Sequence, residues 1–201
     1  KKVTENGAPT MAFQYYKSIH EDEYVCKLND RVIAMLKDIG LKNGVIWVES
    51  FYQNGEFIFN EFGYRFGGSM TYLPIEYFYG VKELDLQIEY ALTGQNNSYT
   101  KPVDLKKEKT YCLFPVHVKP GKIVGIKGMD QMKSKEGFMA FIPGHLKGDQ
   151  IQNWGSTQQV FGYFHFVVDK REEAEDYARS ILSTLKVEGE EGEELLYSLF
   201  V

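Results

Sequence analysis

Residues 44–68, GVIWVESFYQNGEFIFNEFGYRFGG, hold two runs rich in β-branched and aromatic side chains, separated by Asn54-Gly55 and closed by Gly67-Gly68. That composition around an Asn-Gly pair predicts a β-hairpin. Val45, Trp47, Glu49 and Phe51 share one side of the first run, and Phe57, Phe59, Glu61, Gly63 and Arg65 share one side of the second. Glu49 and Glu61 interrupt otherwise apolar rows, and the loop decides whether they meet. A two-residue Asn-Gly loop pairs Gln53 with Glu56, sets Glu49 opposite Asn60 and sends Glu61 to the other face. A three-residue loop, with Gly55 left-handed in a bulge, brings Glu49 and Glu61 diagonally together on one face. Two carboxylates so placed repel one another and need a shared cation.

The same string resembles the metal-binding core of the ATP-grasp superfamily, specifically the carbamoyl-phosphate-synthase-like ligases. In that family a Glu or Gln on one strand, and on the next a Glu that opens a Glu-x-Asn-x-Arg motif, hold the magnesium ions bridging the ATP phosphates. Glu49, Glu61 and Arg65 match three of these positions. Gly63 stands where the family has its asparagine and has no side-chain oxygen to offer, so a backbone carbonyl, a water or a less complete metal shell replaces it. The resemblance continues through Gly67-Gly68 and YALTG, residues 90–94.

The rest of the chain is consistent with an α+β fold. Its 201 residues are 43% hydrophobic and 25% charged, an ordinary globular composition with room for a sizeable core. A net charge of −5 with interspersed Lys and Arg argues against nucleic acid and anionic membranes as partners. No apolar run is long enough to span a bilayer, and the cytoplasm is the expected compartment. The opening KKVTENGAPT reads as the middle of something longer. Cys26 and Cys112 are expected to be buried, reduced thiols.

Along the chain, MAFQYY (residues 11–16) predicts a strand. Tyr15, Tyr16, Lys17 and His20 read as solvent-facing, with a substrate-facing role left open by the resemblance. Residues 21–39 predict an amphipathic helix burying Val25, Leu28, Val32, Met35, Leu36 and Ile39, and residues 82–93 a second burying Leu84, Ile88, Ala91 and Leu92. Residues 74–80 read as a connection between the hairpin and that helix. TYCLFPVHV (110–118) predicts a strand whose Pro115 implies an edge or a bulge. Further strands are expected at 123–126, 138–142 and 158–168. A charged helix over 171–186 buries Ala174, Tyr177, Ala178, Ile181, Leu182 and Leu185, and EGEEGEE near the end is a solvated turn.

The resemblance implies two parts. Residues 1–97 would be the carboxy-terminal portion of an ATP-grasp domain, an antiparallel sheet with helices on one side. Residues 98–201 would be a small β-rich lobe like that of biotin-carboxylase-like and amino-acid-ligase-like enzymes, a common site of homodimer contacts. It implies ATP and Mg²⁺ (or Mn²⁺) as cofactors, small-molecule carboxylate and amine substrates, and ligation through an acyl phosphate. Glu49 and Glu61 would bind the metal with ATP, and Arg65 would contact the nucleotide and stabilise the transferring phosphoryl group. The lysine-bearing lid of such enzymes is not in this sequence, so the chain alone is expected to be inactive. The alternative is a non-catalytic ATP-grasp-like scaffold, with Arg65 merely neutralising Glu61. The four histidines show no zinc-ligand spacing.

Overall fold

The computed structural model describes residues 2–3, 9–10, 13–152 and 159–197. It forms two compact units, residues 17–107 and residues 108–201, the latter joined by residues 1–16.

In the unit built on 108–201, strands β1 (Lys2–Val3) and β2 (Pro9–Thr10) pair with each other, and β3 (Gln14–Tyr16) joins the main sheet. Residues 11–12 of the strand expected there lie outside the described residues. The hub is β6 (Thr110–Val118), numbered after the two hairpin strands of the other unit. It is buried from Tyr111 to Val118, as its almost unbroken apolar run requires. It is not an edge: β11 (Val160–Val168) flanks it on one side, while β3 at 111–113 and β13 (Leu196–Tyr197) at 117–118 share the other. Pro115 falls between those two short strands, where among the described residues none on that side pairs with it. β9 (Phe138–Pro143) completes the antiparallel sheet beyond β11. The region expected as one strand over 123–126 is divided between β7 (Gly121–Lys122), which pairs with β10 (Gln150–Ile151), and β8 (Gly125–Lys127), which pairs with β12 (Lys186–Glu188).

Helix α6 (Ala174–Thr184) follows a 3-10 turn at Arg171–Glu173 and buries Ala174, Tyr177, Ala178 and Ile181. With Leu185 these pack on Cys112, Phe114, Val116, Phe164 and Phe166 of the sheet. Tyr177 stacks on Phe166 with ring centroids 4.1 Å apart. A short helix α5 (Met129–Lys133), not foreseen, contributes buried Met132. Burial pushes the Cys112 thiol up to about 12, so it packs as a small hydrophobe. Of the strand expected over 158–168, residue 158 lies outside the described residues.

In the unit of residues 17–107, α1 (Glu21–Tyr24), a π-helical segment (Val25–Asn29) and α2 (Asp30–Asp38) run on continuously. The wider π turn slips the register of the predicted stripe. Leu28, Val32 and Leu36 are half-buried, whereas Val25, Met35 and Ile39 are exposed, and Cys26 is exposed rather than buried. Strands β4 (Trp47–Gln53) and β5 (Glu56–Gly63) follow. The expected connection at 74–80 is instead helix α3 (Tyr72–Tyr79), in which Pro74 sits in the first turn, where no hydrogen bond is lost. Gly80, left-handed at φ 68°, ends it.

Helix α4 (Glu83–Thr93) turns the opposite way from the prediction. Leu84, Ile88, Ala91 and Leu92 face solvent, and Glu83, Leu86, Gln87, Glu89 and Tyr90 are half-buried. Glu89 explains the rotation: its carboxylate accepts the backbone N–H groups of Asn97 and Ser98 at 3.1 Å, tying the returning loop to that side. The loop is held further by Lys17, whose ammonium donates to Asp104 at 2.7 Å and lies over the Tyr79 ring. The Lys17 hydrogen bond first, and then that from the Lys106 backbone N–H, hold the Asp104 carboxyl well below the usual carboxylate range.

Candidate functional site

The hairpin reverses at Asn54 (φ 54°) and Gly55 (φ 81°), both left-handed, the geometry of a two-residue type I′ loop. Accordingly Gln53 pairs with Glu56, Tyr52 with Phe57, Phe51 with Ile58 and Ser50 with Phe59. Continued unchanged, that register would set Glu49 against Asn60. A bulge intervenes: the next pair is Glu49 with Glu61, then Val48 with Phe62 and Trp47 with Gly63. Asn60 is the extra residue, and its insertion flips the remainder of β5 so that both glutamates stand directly opposite on one face. Neither loop foreseen from the sequence is the whole answer. The loop is the short one, and the bulge lies at residue 60, where nothing in the local composition announces it.

Asn60 also acts on the pair, since its side-chain amide donates to Glu49 Oε1 at 2.8 Å. Neither glutamate has a Lys or Arg partner among the described ion pairs. Like charges placed directly across a strand pair are destabilising. The donor set of two carboxylates, with room for water and phosphate oxygens, fits a hard divalent cation such as Mg²⁺. Among the described residues no cluster of three or more His, Cys, Asp or Glu side chains forms a metal site by itself.

Arg65 lies just beyond β5. It does not pair with Glu61: its guanidinium donates to the Phe66 carbonyl at 2.8 Å and sits 5.1 Å from the Trp47 ring centroid. A side chain at position 63 would run into the Trp47 indole, so Gly63 is required by its cross-strand neighbour. The reverse arrangement holds Gly44, against which the Tyr64 ring lies while its hydroxyl donates to the Asn43 carbonyl. An aromatic facing glycine across two strands was the available signal for the Trp47–Gly63 seat.

The other hairpin face is packed by helix α1. His20 stacks on Tyr52 at 3.7 Å between ring centroids, and Tyr24 meets Phe57 edge-on. Glu23 accepts from Lys27 and from the Tyr52 hydroxyl, which together hold its carboxyl below the ordinary range. His20 and Lys17 are thus engaged in packing and ion pairing, and Tyr15 and Tyr16 are half-buried in β3. Beside the hairpin base lies a pocket of about 650 Å³ lined by residues 42–46 with Val81, Glu83, Leu86 and Gln87. Burial raises the Glu83 carboxyl above its usual range.

Searches against family models and curated proteins return no match. Solved structures do match. The chain is similar to L-amino acid ligase from Bacillus licheniformis (TM-score 0.71, 16% identity), covering 92% of this chain and 45% of that one. It is similar to phosphoribosylglycinamide synthetase from Anaerococcus prevotii (TM-score 0.72, 15% identity; 90% and 48%). It also matches the biotin carboxylase domain dimer of Hydrogenobacter thermophilus 2-oxoglutarate carboxylase, solved with MgADP, ADP and bicarbonate (TM-score 0.66, 18% identity; 90% and 40%). The chain spans less than half the length of these proteins. Its mixture of helices and antiparallel strands is the fold that ATP-grasp ligases share, and the chain has the fold of an ATP-grasp fragment.

Proposed function

We propose that these residues form the metal- and nucleotide-binding end of an ATP-dependent ligase that joins a carboxylate to an amine or similar nucleophile through an acyl phosphate, in the manner of carbamoyl-phosphate-synthase-like enzymes. The observation that carries this reading is the Glu49–Glu61 pair, two carboxylate residues set opposite each other and, among the described residues, ion-paired to no Lys or Arg. Glu49 and Glu61 would hold Mg²⁺ or Mn²⁺, with Asn60 orienting the first carboxylate. Held by these two carboxylates, the metal would supply charge neutralisation for phosphoryl transfer from ATP. Arg65 would bind an oxygen of the transferring phosphoryl group and hold it in line. The MgADP bound by the Hydrogenobacter domain supports the choice of nucleotide and metal.

Residues 1–97 would belong to the ATP-grasp domain and 98–201 to the following lobe. Their dimeric counterpart in the Hydrogenobacter domain supports self-association. Among the described residues no helix is long and apolar enough to cross a membrane. With the low net acidic charge, this supports a cytoplasmic enzyme acting on small molecules. Because the chain spans under half of its structural neighbours, turnover belongs to the whole protein, and these residues alone should show none.

One feature favours a second reading, a scaffold that kept the fold and lost the chemistry: position 63 offers no side-chain oxygen, and the Trp47 indole occupies the space of a side chain there. ADP release by the whole protein, measured with Mg-ATP and a panel of amino acids and amines, separates the two. The ligase reading expects release that requires both a carboxylate and a nucleophile and is lost in Glu61→Gln. Absence of release with every pair, together with absence of Mg-ATP binding, would establish the scaffold.

A further inference from the structure

We propose that Trp47 is a positioning residue for Arg65: its indole, seated on Gly63 in the volume that a side chain at position 63 would fill, carries the guanidinium on its face. The inference rests on the ligase reading above.

The seat is built from two strands. The register sets Trp47 opposite Gly63, and a Cβ at 63 would fall inside the indole's van der Waals shell, so the ring and the missing side chain are one arrangement. The indole Nε1 is buried with no hydrogen-bond acceptor among the described residues. A buried orphan donor is unfavourable, and phenylalanine would fill much of the same space without one. What tryptophan adds is the largest π face, which is the best surface for a cation. Arg65 uses that face at 5.1 Å and anchors one nitrogen on the Phe66 carbonyl. Its backbone is fixed independently, because Tyr64 is seated on Gly44 and bonded to the Asn43 carbonyl. An exposed arginine held by neither restraint spreads over many rotamers and loses that freedom each time it engages a phosphoryl oxygen. The stack removes part of that loss beforehand. The site would thus rely on a positive charge fixed on Trp47 where a third side-chain oxygen is lacking.

The test is a double-mutant cycle on the whole protein, with ADP release read under saturating Mg-ATP and melting followed in parallel. Trp47→Phe should keep activity within about twofold and melt no lower than the parent, having shed the orphan N–H. Trp47→Leu should lower kcat about two- to fivefold, the scale of one cation–π contact. In an Arg65→Ala background, Trp47→Leu should change nothing further. Additive losses in that background, or full activity of Trp47→Leu while Arg65→Ala is impaired, would overturn the proposal and leave the ligase reading intact. An Arg65→Ala protein as active as the parent would overturn both. One readout is independent of turnover and of the leucine variant's folding. The Arg65 side-chain NMR signals should be shifted upfield by the indole ring current and should move to ordinary positions in Trp47→Met. Unshifted signals in the parent protein contradict the stack.

Discussion

The two compact units solve the problem of staying folded in different ways. In the unit built on residues 108–201, alternate residues of β6 and β11 interlock with α6, so Phe114, Phe164, Phe166, Ile181 and Leu185 are all but sealed from water. In residues 17–107 the buried apolar side chains are Pro74, Phe78 and Val81, while Phe51 is 58% exposed, Phe59 54% and Leu92 81%. There the elements are tied by polar and aromatic contacts instead: Lys17 to Asp104, Tyr79 to Glu21, Glu89 to the 97–98 amides, His20 on Tyr52. The candidate site stands on this second, thinly packed unit. Substitutions in the first should therefore read as stability, and substitutions in the second as binding and turnover.

The sharpest way to break that contrast is a matched pair of truncations. Phe164→Ala, in the sealed core, should destabilise by about 3–5 kcal/mol, whereas Phe59→Ala on the exposed hairpin should stay within about 0.5 kcal/mol. Equal losses in urea unfolding would erase the distinction.

Acid should find the first unit through His117. The imidazole is 3% exposed, its Nδ1 lacks a partner among the described residues, and burial pulls its pKa down to about 4 from 6.5. Between those values the unfolded chain binds the proton and the folded chain does not. The contribution is therefore intact above pH 6.5 and declines as pH falls towards 4, by roughly 3 kcal/mol in all. His117→Gln should flatten that slope in melts taken across the window, and an unchanged slope would remove His117 as its source.

Gly63→Ala forces the Trp47 ring aside and should destabilise the hairpin by about 1–3 kcal/mol, the usual scale of overpacking. Local hydrogen exchange at 47–63, with 108–201 unaffected, is the measurement. The smallest effect is expected from Glu61→Gln in metal-free buffer. Relief of like-charge repulsion should stabilise by about 0.2–1 kcal/mol, so a lower melting temperature would show that Glu61 is paired after all.

Legibility in the sequence followed how local the deciding interaction is. The apolar run of β6, the stripe of α6 and the Asn54-Gly55 reversal depend on neighbours a few residues away, and each is readable as such. The face of α4 was misread because Glu89 reaches forward to two loop amides, a polar tie that outweighs the Leu84–Ile88–Leu92 stripe. The helix over 21–38 was misread because one π turn shifts every later residue around the axis. For the candidate site, the residue types were legible but their convergence was not. Periodicity alone puts Glu61 on the wrong face behind a two-residue loop, and the inserted Asn60 returns it. The alternative partner for Arg65, Glu61 two residues away, is not the one it takes: the cross-strand Trp47 supplies the nearer surface.

The central claim is that Glu49 and Glu61 face each other in order to share a divalent cation. Calorimetric titration of the whole protein with MgCl₂ in the presence of ATP tests it most directly. The account predicts one saturable metal-binding step in the parent protein that disappears in both Glu49→Gln and Glu61→Gln, while ATP binding without metal is unchanged. Metal binding of parental strength in both variants would contradict it.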